Sequence, residues 1–193
     1  MKIAVYGAAS RLIDESYKEA GKELGRKIAE GGDGLVFGGG ANGMMGAVAE
    51  GAYEKGGYIL GVVPSFFQEA NAEISFKNCT DYIYTETMRE RKSKMEENSD
   101  AFIISPGGIG TFDEFFEILT LKQLGRHNKA IVIYNINGFY EKIAKALEKM
   151  VHEKFITDDC AELCAVYTDV DEMLEYIHNY DPTDIDLSKV KIR

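Results

Sequence analysis

The chain has 193 residues, of which 45% are hydrophobic and 28% are charged, the balance of an ordinary globular domain. This composition excludes a disordered chain, a collagen-like repeat and a disulfide-rich scaffold. With 22 basic and 32 acidic residues the formal net charge is −10, so neither nucleic acid nor an anionic membrane is an expected partner. We predict one domain over residues 1–180 and a polar C-terminal tail over 181–193.

The cysteine and histidine spacing predicts neither disulfides nor a metal site. The residues concerned are Cys79, Cys160, Cys164, His127, His152 and His178. No CxxC pair or His ligand spacing is present, so we expect free thiols and no bound metal. The sequence also lacks a signal-peptide core and a run of about 18 apolar residues, so we expect a cytoplasmic protein.

Apolar strand patterns alternate with amphipathic helix patterns along the chain. Strands are predicted at 3–6, 35–37, 58–63, 82–84, 101–104, 130–134 and 165–167. Helices are predicted at 14–30, 44–55, 89–98, 111–124, 139–154 and 171–178, and a loop at 65–80. Short, continuously apolar strands between helices predict an α/β fold with a parallel sheet covered on both faces. Ligands of such folds bind in loops that follow the strands.

A glycine-rich run, GGGANG at 38–43, joins the second predicted strand to a helix. It matches the pattern G-x-G-x-x-G, but the next strand ends in VVP and lacks the acidic residue that a dinucleotide ribose needs, so NAD is not the expected ligand. Two interpretations stay open. The run is either a backbone anion site at a helix N-terminus, with contacts at Gly40, Asn42 and Gly43, or a tight strand-to-helix turn.

A second glycine-rich run, SPGGIGT at 105–111, also lies between a strand and a helix. It lacks the GK[ST] ending of a Walker loop, yet its amides and the Thr111 hydroxyl could bind a phosphate at the helix N-terminus. A capping box is the competing interpretation, with Thr111 as the N-cap and Glu114 folding back onto it. A carboxylate in that box would repel a phosphate, so in a phosphate site Glu114 should point toward the rest of the ligand.

Four cations and one acid occupy the eight residues MRERKSKM at 88–95. At about 100° per residue, Met88 and Met95 define one helix face, and Arg91 and Lys92 lie within about 60° of it. Cations that lean toward a protein interior need an anion or a carboxylate, so we predict a ligand role for Arg91. A solvated basic face is the alternative.

The predicted helix at 111–124 carries apolar residues around nearly its whole circumference. They are Phe112, Phe115, Phe116, Ile118, Leu119, Leu121 and Leu124. Such a helix is buried on more than one side. We predict that one side meets the sheet and the other meets a second subunit, or alternatively the loop at 65–80.

Three stretches together resemble the signatures of the lonely-guy (LOG) family: GGGANGMMG at 38–46, MRERK at 88–92 and PGGIGTFDE at 106–114. LOG proteins are cytokinin riboside 5′-monophosphate phosphoribohydrolases. The resemblance implies a Rossmann-like three-layer αβα sandwich and a homodimer with active sites near the interface. It also implies hydrolysis of the N-glycosidic bond of a nucleoside 5′-monophosphate, such as AMP or its prenylated analogue, with no cofactor.

Carried over residue by residue, the resemblance implies that Arg91 and Glu114 form the catalytic pair. It implies a phosphate loop made of Gly107, Gly108, Ile109, Gly110 and Thr111. It implies further ligand contacts at Lys92, Asp113, Thr120 and Glu73.

Three positions depart from the family pattern and bear on base specificity. Arg89 replaces a frequent His, Leu121 replaces the usual Trp, and the first loop reads GAAS where a serine pair is frequent. Two other functions compete with hydrolysis. A carrier of nucleotides or of the molybdenum cofactor would share the fold without turnover. A pyridoxal-phosphate decarboxylase would need a Schiff-base lysine with an acidic partner, and no lysine stands out.

Overall fold

The computed structural model describes residues 1–69, 75–183 and 190. Seven strands lie within these residues: β1 (Lys2–Tyr6), β2 (Gly34–Phe37), β3 (Ile59–Pro64), β4 (Asp81–Thr85), β5 (Ala101–Ile104), β6 (Ala130–Tyr134) and β7 (Ala165–Tyr167). The same residues contain seven α-helices: α1 (Glu15–Glu30), α2 (Gly43–Glu54), α3 (Ser65–Glu69), α4 (Met88–Glu97), α5 (Ile109–Gln123), α6 (Glu141–His152) and α7 (Val170–Asn179). Short 3-10 helices, Ile136–Gly138 and Asp158–Leu163, precede and follow α6.

The strands form one sheet in the order β4-β3-β2-β1-β5-β6-β7, and every pairing between them is parallel. Strands β2, β3, β5 and β6 are buried along their whole length. Burial on both faces explains why their sequences are continuously apolar and do not alternate. The predicted parallel sheet is therefore confirmed.

Helices cover both faces of this sheet. On β1, Ile3 and Val5 face a core shared with α1, α2 and α7, whereas Ala4 and Tyr6 face a second core shared with α4 and α5. Successive side chains of a strand point to opposite faces, so one strand contributes to both cores. The result is the three-layer αβα arrangement that was predicted.

The strand order reverses between β1 and β5. Both strands lie at the centre of the sheet, with Tyr6 at the end of β1 beside Ile104 at the end of β5. The loops that follow these strands, 7–14 and 105–108, run to opposite faces of the sheet, and a crevice lies between them. Parallel sheets bind ligands at this kind of switch point.

Several of the many glycines serve helix packing and not a ligand. A Cβ added to Gly25 of α1 would lie 1.9 Å from the Val48 carbonyl oxygen of α2, and one added to Gly51 of α2 would lie 1.9 Å from the Lys22 oxygen of α1. The two helices therefore approach more closely than larger residues permit. Part of the chain's count of 20 glycines therefore reflects this helix contact.

Two regions extend or correct the predicted elements. The loop predicted at 65–80 contains the short helix α3 at its start, directly after Pro64 ends β3. Near the other end of the chain, Val190 is fully buried in a small cluster with Cys160 and Leu163. All three cysteines are free thiols, as predicted.

Candidate active site

A buried ion pair lies at the crevice. Arg91 of α4 donates from Nη1 to Glu114 Oε1 of α5 over 2.8 Å, and from Nε to the carbonyl oxygen of Val62 over 3.2 Å. The two side chains are only 6% and 9% exposed. Removing two charges from water carries a large desolvation cost. A buried ion pair is therefore weak evidence for a purely stabilising role. A buried pair at a crevice is therefore a candidate functional site.

Local sequence turns Arg91 inward. Thr87 is the N-cap of α4, and its Oγ1 accepts a hydrogen bond from the Glu90 amide over 3.1 Å. Glu90 Oε2 in turn accepts from the Glu86 amide over 2.9 Å, an arrangement close to a capping box. Met95, one turn after Arg91, is fully buried and shares its face. The inward position predicted for Arg91 is confirmed.

Helix α5 begins earlier than predicted. Its N-cap is Gly108 and its first residue is Ile109, so Thr111 is the third helical residue and not a cap. The capping box between Thr111 and Glu114, the competing interpretation of this sequence, is therefore wrong. The Glu114 carboxylate pairs instead with Arg91, a partner on another helix that a pattern within one helix cannot show.

The N-terminus of α5 is open to the crevice. Gly108 supplies no side-chain cap, and the first amides of a helix have no intrahelical acceptor. A Cβ added to Gly108 or Gly110 would meet no atom within 4 Å, whereas one added to Gly107 would lie 2.0 Å from Thr111 Oγ1. Unpaired amides and the positive end of the helix dipole favour an anion at this position.

Hydrogen bonds connect the two loops that border the crevice. Ser105 donates from Oγ to the Tyr6 carbonyl over 2.7 Å, and the Ala8 amide donates to the Pro106 carbonyl over 3.1 Å. The buried Tyr140 hydroxyl donates to the Ser105 carbonyl over 2.8 Å. These contacts hold the entry to α5 in place beside the end of β1.

The ion pair and the α5 N-terminus line one cavity of about 310 Å³. Its lining residues are Gly7, Ala8, Ala9, Ser10, Met45, Phe67, Met88, Arg91, Gly108, Gly110, Thr111, Asp113 and Glu114. A volume of this size lies at the small end of ligand sites. One cavity therefore combines a helix N-terminus without a side-chain cap, a buried carboxylate and an apolar wall.

The electrostatics of Glu114 suit a reactive carboxylate. Burial raises the pKa of Glu114 above its ordinary value of 4.5, and the nearby Arg91 guanidinium lowers it only in part. Arg91 binds Oε1, and Oε2 has no hydrogen-bond partner among the residues that the structure describes. The second oxygen is therefore available to a ligand.

Comparison with known proteins identifies the family. A family model described as "Possible lysine decarboxylase" matches residues 45–177. The cytokinin riboside 5′-monophosphate phosphoribohydrolase LOG2 of Arabidopsis thaliana is 32% identical over 181 residues, 94% of this chain and 84% of that protein. The corresponding LOG enzyme of Oryza sativa subsp. japonica is 33% identical over 94% of this chain and 74% of its own length. The chain belongs to the lonely-guy (LOG) family.

Solved structures agree on the fold. A Moco carrier protein from Chlamydomonas reinhardtii has a TM-score of 0.70 at 24% identity, covering 92% of this chain and 94% of that one. A molybdenum cofactor binding protein from the phototrophic bacterium Rippkaea orientalis has a TM-score of 0.66 at 18% identity, covering 92% and 93%. At such identities the likeness concerns the fold alone, and it confirms the Rossmann-like sandwich.

The structure brings many of the LOG signature residues together. Those that line the cavity are Arg91, Gly108, Gly110, Thr111, Asp113 and Glu114. Lys92, Ile109 and Thr120 border a shallower groove on the outer side of α5, which Asp113 also borders. The Lys92 amine lies 2.9 Å from Asp113 Oδ2 and 2.5 Å from Glu117 Oε2. Lys92 thus connects α4 to α5 beside the cavity that contains the Arg91–Glu114 pair.

Gly40, Asn42 and Gly43 of the first glycine run do not line this cavity. Asn42 and Gly43 line a separate groove between α1 and α2, and Gly40 forms an antiparallel bridge with Ser75. Gly43 has a φ of 61°, and an added Cβ would lie 2.5 Å from the Ala8 carbonyl oxygen. Close packing accounts for Gly43. The anion contacts at Gly40, Asn42 and Gly43 stay predictions, and Glu73 lies outside the described residues.

Gly38 makes room for the arginine of the pair. A Cβ at this position would lie 1.9 Å from Arg91 Nη2, so Gly38→Ala must displace the guanidinium. We expect the catalytic activity of the site to fall by up to about a hundredfold, the cost that a 1 Å error in catalytic geometry can have. Activity assays on the variant measure this loss. Gly31→Ala is the control, since its Cβ would meet nothing closer than 3.4 Å, and equal effects of the two changes would contradict the prediction.

The apolar wall of the cavity was not predicted from the sequence. Met45, Phe67 and Met88 come from α2, α3 and α4, and none was assigned a ligand role. Phe67 follows Pro64 closely at the carboxyl end of a strand, and that position was the available signal. Met45 and Met88 lie near Phe67 in space but far from it in sequence, so only the fold brings the three side chains to one wall.

Among residues 1–69, 75–183 and 190, no group of three or more His, Cys, Asp or Glu side chains could hold a metal ion. No helix within these residues is long and apolar enough to cross a membrane.

Proposed function

We propose that the protein hydrolyses the N-glycosidic bond of a nucleoside 5′-monophosphate and releases the free base and ribose 5-phosphate. One observation carries the proposal: the buried Arg91–Glu114 pair lies in the same cavity as the uncapped N-terminus of α5. LOG relatives named cytokinin riboside 5′-monophosphate phosphoribohydrolases support it. The proposed substrates are AMP and its N6-prenylated analogues.

The proposed mechanism assigns the phosphate to the α5 N-terminus and the ribose to the ion pair. As the bond between C1′ and the base breaks, the base leaves with the bonding electrons and the sugar gains oxocarbenium character, which a carboxylate stabilises. Glu114 supplies that carboxylate and then orients the attacking water. Water provides the new hydroxyl group at C1′ and the proton that balances the departing base.

Arg91 holds the carboxylate in position. Its guanidinium binds Glu114 on one side and the Val62 carbonyl on the other, so two fixed contacts set its plane. A preorganised charge costs no reorganisation during the reaction, which makes such groups effective in catalysis. The proposal therefore gives Glu114 the chemical role and Arg91 the role of holding it ionised and correctly aimed.

Incubating the purified protein with AMP tests the reaction. Release of adenine and ribose 5-phosphate supports the hydrolase, and tight binding without release would instead support a non-catalytic carrier. The fold shared with molybdenum cofactor carriers is compatible with both, so turnover decides. A pyridoxal-phosphate decarboxylase is less well supported, since no lysine lines the cavity within the described residues.

The substrate's phosphate should dominate binding. We expect AMP to bind about ten- to a hundredfold more tightly than adenosine, because hydrogen bonds to a charged group contribute roughly 1.5–3 kcal/mol. The reason is the open α5 N-terminus beside the ion pair. Calorimetric titration of both ligands measures the ratio, and equal affinities would remove the phosphate site from the proposal.

A homodimer is the proposed assembly. Phe116 of α5 is 39% exposed and Leu124, the residue that ends this helix, is 54% exposed, and exposed apolar patches are typical of interaction surfaces. A second copy related by a two-fold axis would cover them. We expect the mass of a dimer in light scattering at micromolar concentration, and a smaller mass for Leu124→Glu. A monomeric parent protein would contradict this prediction.

A further inference from the structure

A buried tyrosine supports the entry to α5 from behind the cavity. Tyr140 is the N-cap of α6, is only 1% exposed and does not line the cavity. Its hydroxyl donates to the Ser105 carbonyl oxygen over 2.8 Å, and its ring meets the ring of Phe112 edge to face, with the centroids 5.8 Å apart. Tyr140 therefore contacts both the loop before α5 and the first turn of that helix.

The tyrosine is itself held in place. Its amide donates to Asn135 Oδ1 over 2.7 Å, and the Asn135 amide donates to the Tyr167 carbonyl oxygen of β7 over 2.7 Å. Burial raises the pKa of the Tyr140 hydroxyl above its ordinary value of 10, so this group keeps its proton and remains a donor. The hydrogen bond to Ser105 therefore comes from a fixed position beyond the end of β6.

Ser105 is the residue at which the hydrogen bonds of this loop converge. It is fully buried, and its Oγ and its amide both donate to the Tyr6 carbonyl oxygen, over 2.7 Å and 2.9 Å. Its own carbonyl oxygen accepts from Tyr140. Gly107 and Gly108 follow, and they carry no side chains that could hold the loop. The direction of the first α5 amides therefore depends on how Ser105 is held.

We propose that Tyr140 is a positioning residue for the phosphate of the substrate. Its hydroxyl fixes the Ser105 carbonyl and thereby sets the direction of the α5 amides that receive the anion. The inference rests on the proposed function, because that function assigns the phosphate to the N-terminus of α5. Donors that are already oriented cost no reorganisation when a ligand binds, so a loss of this support weakens phosphate binding although Tyr140 lies outside the cavity.

A change of one hydroxyl group tests this role. Tyr140→Phe removes the hydroxyl and keeps the ring, so the packing against Phe112 is preserved. Tyr58→Phe is the matched control, because its hydroxyl also makes a hydrogen bond, to Asp81 Oδ2 over 2.9 Å. That bond lies beside the amino ends of β3 and β4, at the opposite edge of the sheet from the site. Both variants are made in a Glu114→Gln background, so that AMP is not consumed.

The measurement is calorimetric titration with AMP and with adenosine, and melting curves establish that each variant is folded at the assay temperature. We expect Tyr140→Phe to weaken AMP binding by about three- to tenfold, the scale of one hydrogen bond. Adenosine should bind unchanged, so the ratio of the two affinities falls by the same factor. A loss of stability alone does not change that ratio. Tyr58→Phe should leave both affinities at the values of the parent.

Two further measurements extend the test. With Glu114 intact, Tyr140→Phe should raise the KM for AMP and change kcat little, because the supported amides hold the phosphate equally in the ground state and in the transition state. Ser105→Ala removes the side-chain hydrogen bond to the Tyr6 carbonyl and should lower the same affinity ratio. This second variant keeps the proposal testable if Tyr140→Phe melts below the assay temperature.

The results separate this inference from the proposed function. A lowered ratio in Tyr140→Phe, but no adenine release by the unmodified protein, would remove the hydrolase and keep the positioning role. Adenine release together with an unchanged ratio in Tyr140→Phe would keep the hydrolase and overturn the positioning role. Equal losses for AMP and adenosine, or the same loss in Tyr58→Phe, would also overturn it, since they indicate a general disturbance of the fold.

Discussion

Glu114→Gln is expected to lower turnover of AMP by about a hundredfold or more, the scale of losing one preorganised electrostatic group. Glutamine keeps the shape and can still accept the hydrogen bond from Arg91, but it cannot stabilise a positive sugar. The melting temperature should also fall, because glutamine still accepts the hydrogen bond but leaves the buried Arg91 guanidinium without its counter-charge. Base release and melting curves on the same samples measure both effects.

A matched control lies one turn away. Glu117→Gln removes a carboxylate of the same helix. This carboxylate pairs with Lys92 and does not line the cavity, so activity should stay within a few-fold of the parent.

The pH dependence of activity gives a second check on Glu114. Because burial raises the pKa of Glu114, the acid limb of kcat/KM should lie above the ordinary value of 4.5, with activity rising as the carboxyl ionises. Full activity of Glu114→Gln would contradict the catalytic role of Glu114 and leave it a structural role only.

Arg91→Met is expected to cost both activity and stability. It leaves the Glu114 carboxylate buried without its cation, and breaking a buried pair in this way typically costs about 3–5 kcal/mol. Arg91→Lys should recover much of that stability, because it restores a positive charge. It should recover little activity, because one ammonium cannot reproduce the planar contacts to Glu114 and to the Val62 carbonyl.

Urea unfolding and base release separate these two losses. Arg89→Met is the control, since Arg89 lies two residues away on the same helix and is exposed. It should leave stability within about 0.5 kcal/mol of the parent, as surface substitutions usually do. If Arg91→Lys were fully active, a simple positive charge would suffice and the oriented guanidinium would not be required.

The sequence by itself determined the fold class and predicted where the candidate site lies. Continuous apolar runs such as Ile131–Ile133 indicate strands buried on both faces, and such strands occur in parallel sheets between helices. The spacing of Met88, Arg91 and Met95 alone predicts a cation near the buried face of α4. The glycine-rich entry to α5 indicated an anion site, since glycine leaves helix amides open.

Only the tertiary structure decided which residues meet. The pattern from Thr111 to Glu114 fits a capping box, but Gly108 is the cap and Glu114 pairs with Arg91, 23 residues earlier in the chain. A local pattern describes bonds within one helix, and it cannot weigh them against a partner that packing brings from another. The buried guanidinium is the stronger partner because a carboxylate removed from water needs a compensating charge.

The same limit applies to the glycines and to the apolar wall. The sequence predicts Gly25 within a helix and Gly38 in a glycine run, but it does not show that one lets two helices touch and the other makes room for Arg91. Met45, Phe67 and Met88 belong to three different helices, and only the crossing of those helices over the sheet brings them to one cavity. Sequence patterns report periodicity along one element, whereas the walls of a site come from several elements whose distances are set by packing.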